Sequence, residues 1–222
     1  MKKIVFVLFV FGILVLAGCI YKSGGALTTT PTSLTAEEVR NLNLKQSDVP
    51  PGYKLNKNYS RFTADANVYT EGNETDANRL LNYGWAATDE VYYETFDENN
   101  NTLNSIYVAL SIYKNETNMD CALKQNYFAF KDVGAIPVPQ NRVYGHDSIY
   151  FVQPYEDSVL GKIPLYQIRF YYGNVYANVE VGGPAESVKI EDAVKYAELI
   201  EKRLKDACPK CAKAPECERK IG

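Results

Sequence analysis

Hydrophobic and polar positions change their period several times along this chain, and each change marks a different kind of segment. Residues 4–16 form an uncharged apolar run behind Lys2-Lys3. It ends at Leu16-Ala17-Gly18-Cys19. Residues 21–33 show no apolar period and are rich in Gly, Ser and Thr. From Leu34 onward, alternation and helical stripes take over. Thr35-Ala36-Glu37-Glu38 has the capping-box pattern and opens a short helix to about Leu42. Pro50-Pro51-Gly52 forces an extended turn. A strand is expected near Tyr53 to Tyr59, and a helical turn around Ala77 to Leu81.

The centre and the C-terminal half carry the clearest signals. A strand is predicted at about Glu90 to Phe96, a polar hairpin connection at 97–102, and a strand from Asn104 to Lys114. In that last strand Ile106, Val108, Leu110 and Ile112 face one way; Tyr107, Ala109, Ser111 and Tyr113 face the other. Thr117 to Asp120 caps a helix to about Lys131 with an apolar stripe of Met119, Ala122, Leu123, Tyr127 and Phe130. Residues 134–145 read as a loop. Strands follow at about Ser148 to Gln153, Pro164 to Tyr172 and Asn174 to Val181, with a tight turn at Gly173-Asn174. A helix from about Ala185 to Ala207 has the stripe Ile190, Ala193, Val194, Ala197, Ile200 and Leu204. Hairpins with inserted rather than alternating helices predict an α+β fold: one mainly antiparallel sheet, a long C-terminal helix and one inserted helix packed on it.

The N-terminal pattern predicts an address. The apolar run fits the h-region of a signal peptide, whereas a membrane-spanning helix needs about twenty residues. Small residues directly before Cys19 make a lipobox-like cleavage site. The expected organisation is a signal peptide at 1–18, a lipid-anchored flexible tether at 19–33, a globular domain at 34–207 and a cysteine-containing tail at 208–222. A lipid on Cys19 would hold the protein at the cell membrane on its extracytoplasmic face. At ~0.8 kcal/mol per buried methylene, two acyl chains anchor stably where one is marginal. The sequons at Asn58, Asn73, Asn100 and Asn115 are glycosylation candidates in such a compartment.

The succession Asp48-Val49-Pro50-Pro51-Gly52-Tyr53, Tyr83-Gly84-Trp85, Gly145-His146-Asp147-Ser148 and Ile168-Arg169-Phe170-Tyr171-Tyr172-Gly173-Asn174-Val175, followed by an amphipathic helix, resembles a class of small prokaryotic surface lipoproteins, archaeal ones included. Their folds are similar to the PsbP-like sheet-and-helix sandwich. The resemblance implies no catalytic residues, and no cofactor is expected.

Composition then narrows the chemistry. A net charge of −3 gives no electrostatic footprint for nucleic acid. The single histidine, His146, lies beside Asp147 and Ser148. Adjacent residues cannot converge as a triad does, so His146 reads as an exposed or capping loop residue. The 97–102 loop lacks the glycine and spacing of an EF-hand. With Cys19 assigned to lipid, Cys121, Cys208, Cys211 and Cys217 remain, an even number that favours two disulfides in an exported domain. A bridge from Cys121 to the tail plus one within the tail is the favoured arrangement, since the tail has almost no apolar residues to dock it. The alternative is a thiol-redox or metal-handling protein using the C-terminal cysteines. Cys208-Pro209-Lys210-Cys211 has redox spacing, but it follows a helix, where the dipole's negative end raises thiol pKa. Finally, eighteen tyrosines stand against one tryptophan. Tyr107, Tyr113 and Tyr176 fall on the polar side of their strands and are candidates for a surface that stacks on an envelope glycan or meets an envelope protein. Covering the sheet's second face is the structural alternative.

Overall fold

The computed structural model of the protein describes residues 33–66, 72–114, 116–132, 134–157 and 161–217. Residues 1–32, which include the expected signal peptide, Cys19 and nearly all of the expected tether, lie outside them, as do Asn115 and the last five residues. The described chain forms α1 (Ala36–Leu42), β1 (Lys54–Phe62), α2 (Glu74–Asn82), β2 (Trp85–Phe96), β3 (Thr102–Tyr113), α3 (Met119–Asp132), β4 (Ile136–Pro137), β5 (Asp147–Asp157), β6 (Gly161–Tyr172), β7 (Val175–Gly182) and α4 (Ile190–Ala207). The seven strands make one antiparallel sheet in the order β1-β2-β3-β7-β6-β5-β4. The fold is α+β.

Strand alternation splits the core in two. Val91, Ile106, Val108, Leu110, Ile112, Ile168, Phe170, Val175, Ala177, Val179 and Val181 point to the face covered by α1 and α4. Helix α4 contributes Ala193, Tyr196, Ala197, Ile200 and Leu204 to that layer. Trp85, Tyr113, Ile149, Phe151, Tyr171 and Tyr176 point to the opposite face, where Met119, Leu123 and Tyr127 of α3 and Ala77 of α2 meet them. Two clasps fix the first layer. Asn43, at the end of α1, donates to the Asp89 carbonyl (3.1 Å) and carboxylate (3.0 Å). Arg203 of α4 grips Asp48 with two hydrogen bonds, 2.8 and 3.0 Å.

Several elements differ from expectation. β2 begins at Trp85 rather than Glu90, because both of its faces are covered there and the sequence loses its alternation. α4 begins at Ile190, not Ala185. Pro184 instead starts a turn whose carbonyl accepts from Ser187 and Val188, and Asp192 caps the helix by accepting from Lys189 N–H at 2.8 Å. The 134–145 segment contains the two-residue strand β4. Asn58, expected near a strand end, lies inside the longer β1 with its side exposed; Asn73 and Asn100 are exposed beside α2 and in the β2–β3 hairpin.

Candidate functional site

The second sheet face is only half covered. Helix α3 has fourteen residues, about 21 Å of length, while β2 and β3 have twelve each, about 40 Å. The helices sit over the pole where β2 begins, β3 ends and the β6–β7 turn lies. Among the described residues no helix spans the other half. There the strands' polar parity is open to a concave surface.

Its floor is made by side chains of neighbouring strands in register. Glu90 of β2, Tyr107, Ala109 and Ser111 of β3, Tyr176, Asn178 and Glu180 of β7 and Arg169 of β6 line a cavity of about 530 Å³, with Arg61 of β1 and Asn126 of α3 at its walls. Two further cavities, about 430 and 420 Å³, continue from it along β1–β2 and toward Gly182–Gly183. All three share Tyr107 and Glu180. Volumes of about 300–1,000 Å³ are those of small-molecule sites.

The charges on this face are organised in pairs. Arg61 Nε donates to Glu90 at 2.8 Å, and this bond raises the guanidinium's pKa further. Tyr107 OH donates to the other Glu90 oxygen. Arg169, 9% exposed, donates to Asn126 (2.9 Å), Gln167 (3.1 Å) and Glu180 (3.3 Å). Glu180 also accepts from Asn178 at 2.6 Å. Glu94 accepts from Thr102 at 2.9 Å and from Asn56. Glu90 and Glu180 are each held beside a guanidinium, and Glu94 by neutral donors, the arrangement that makes a partly buried charge tolerable.

The three tyrosines singled out from strand parity converge on this cavity, but they are not an exposed cluster. Tyr113 (5% exposed) and Tyr176 (7%) pack into the second core beneath α2 and α3. Tyr107 is half-buried and meets Tyr92 edge-to-face, ring centroids 6.0 Å apart. Arg61, Glu90, Glu94, Arg169, Asn178 and Glu180 were not anticipated. Their signal was present: all share the strand parity of Tyr107 and Tyr176, and polar residues repeating on one face of central strands mark a lined floor.

The cysteines and His146 meet elsewhere, at the pole of the β6–β7 turn. The structure bonds Cys121 to Cys217 and Cys208 to Cys211. Cys208 and Cys211 are buried, so an incoming thiolate has no open path to that pair. The tail docks better than its sequence suggested, because Cys208, Cys211 and Ala214 all enter the cores. His146 is neither exposed nor a cap. Its ring stacks on Tyr172, centroids 4.6 Å apart, half-buried under the tail. Among the described residues no group of three or more His, Cys, Asp or Glu is placed to hold a metal ion. In the 97–102 loop, Asp97 accepts from Asn99 and Asn101 N–H, both at 2.8 Å, and these bonds close the turn.

No family model and no curated protein matches this chain. Among solved structures, the fold is similar to the extracellular domain of PknH from Mycobacterium tuberculosis, with a TM-score of 0.57 and 11% sequence identity, over 78% of this chain and 98% of that one. At that identity the likeness is one of fold alone.

Proposed function

We propose that the protein is a lipid-anchored, extracytoplasmic binding domain that performs no catalysis and holds its ligand in the cleft on the half-covered sheet face. The observation that carries the reading is the cleft itself. A sheet face facing water needs only scattered polar residues, whereas this one sets two partly buried ion pairs and an arginine network on a concave floor. Rigid strands hold those groups in fixed register, as a binding site requires. The chain's one imidazole lies outside the cleft, stacked under the tail. The address rests on the sequence at 1–19, on an even count of bridged cysteines and on a fold also used by an extracellular domain. No helix of the described residues is long and apolar enough to cross a membrane.

Two measurements test this. Cys19→Ser should leave the protein unprocessed or move it out of the membrane fraction; processing and attachment identical to wild type would overturn the anchor. Hydrogen exchange of the folded domain, with and without isolated cell envelope, should show added protection in β2, β3 and β7 at the cleft. Protection confined to α1 and α4 would overturn the binding face.

A further inference from the structure

The cleft contains an acceptor, Asn178 Oδ1, that is buried and without a hydrogen-bond partner among the described residues. Asn178 lies on β7, directly across from Ala109 of β3 and Arg169 of β6. It is 9% exposed and lines the largest of the three cavities. Its Nδ2 donates to Glu180 at 2.6 Å. A carboxylate only accepts, so this bond fixes which way the amide points. Oδ1 therefore faces the other way, buried and without a hydrogen-bond partner. Its neighbour across the strand pair, Ala109, has only a methyl group and lines the same cavity.

Resting on the cleft reading above, we propose that the ligand is a neutral, polyhydroxylated molecule, a glycan segment, one of whose hydroxyls donates to Asn178 Oδ1. Charge decides between the donors that could fill that acceptor. Glu90 is neutralised by Arg61, and Glu180 by Arg169. Glu94 and Lys57, farther out, are again one of each sign. A cation or an anion entering this floor meets a like charge for every opposite one, and loses its hydration without net return. A hydroxyl avoids that loss. It donates to Asn178 while its oxygen accepts from a neighbouring donor. The ring's C–H face finds an aromatic partner in one ring of the edge-to-face Tyr92–Tyr107 pair at the junction of the cavities. Paired carboxylates and guanidinia around an aromatic face are a surface of many fixed donors and acceptors with no net field.

Saturation-transfer NMR on the folded domain tests this with maltotetraose, chitotetraose and mannotetraose as neutral probes, and with spermidine and inorganic pyrophosphate as charged ones. At least one tetrasaccharide should receive saturation while both charged probes do not. Asn178→Leu, which keeps the branched shape and removes the acceptor together with the bond to Glu180, should weaken that binding at least tenfold at unchanged circular dichroism. Tyr107→Ala, at a half-buried position, should weaken it as well, and serves should Asn178→Leu fail to fold. Silence from all three saccharides overturns the inference. Binding of a charged probe that perturbs the amides around Asn178 overturns the ligand class and leaves the cleft standing. Saccharide binding that ignores both substitutions overturns the site. The envelope exchange experiment judges the cleft independently of any of these probes.

Discussion

At the residue scale, His146 offers a clean titration. Burial lowers its pKa, and Lys213 and Lys205 nearby act in the same direction, against the carbonyls of Cys211 and Ala212, which favour the charged ring. The unfolded chain takes up this proton near pH 6.5, while the folded chain resists it. Stability from this group is thus complete above about pH 6.5 and is lost as pH falls below that value toward the lowered folded pKa. His146 is the chain's single histidine, so no other imidazole blurs the window. His146→Phe keeps a flat ring on Tyr172 and removes the proton. Urea unfolding at pH 7.5 and 5.5 should show a loss of stability for the wild type and a smaller loss for the variant; equal losses would contradict the assignment. Glu201 enters lower on the scale. Burial raises its pKa, but hydrogen bonds from Lys205 and from Gly145 N–H, with the Lys205 and Arg142 charges, bring it below the ordinary value. Its contribution is present above about pH 4.5 and is lost beneath it. None of this was legible in the sequence, where His146 was a loop residue. Its setting depends on Gly145, whose φ of +60° and missing side chain let the chain pass the Tyr171 carbonyl, 2.2 Å from where a Cβ would sit.

At the scale of elements, the tail behaves as a strap with two fasteners of unequal reach. The Cys121–Cys217 bridge spans 96 residues of separation, and the Cys208–Cys211 bridge spans three. Loop-closure entropy then favours the long bridge, by about 4.7 kcal/mol for a loop near a hundred residues and by about 2 kcal/mol for the short one. Cys121→Ser with Cys217→Ser should lower the urea midpoint more than Cys208→Ser with Cys211→Ser does, and the reverse order would count against this account. The long bridge also has local support. Asp120 accepts from Cys217 N–H and from Lys124 Nζ, both at 2.6 Å. Cysteine parity made a bridge from Cys121 to the tail the favoured arrangement, but no sequence rule chooses among Cys208, Cys211 and Cys217. That choice is made in three dimensions. Cys211 fills the gap at Gly173, where an added Cβ would come within 2.6 Å of it. β2 shows the same limit of periodicity, because Trp85 to Asp89 is covered on both faces and loses the alternation that made β3 and β7 readable.

For the whole molecule, the sheet, its antiparallel character and the C-terminal helix follow from alternation and one long apolar stripe. The cleft does not, because it arises from helices too short to cover their strands. The join between the domain and the preceding chain was equally hidden. Leu34 N–H donates to Asn174 Oδ1 at 2.9 Å, and Asn174 Nδ2 donates back to the Leu34 carbonyl at 2.9 Å and to that of Tyr113 at 3.1 Å. Asn174→Ala strands those buried groups, at about 1–3 kcal/mol for a buried polar group left unmade. It should expose 34–44 to limited proteolysis before the sheet unfolds; cleavage no faster than in wild type would show that α1 holds itself. The clasp has a mechanical consequence. Asn174 leads into β7, the fourth of seven strands, so tension reaching Leu34 is passed by the clasp to the middle of the sheet. The hydrogen bonds from β7 to β3 and to β6 would then share the load between two ladders, where an edge strand has only one.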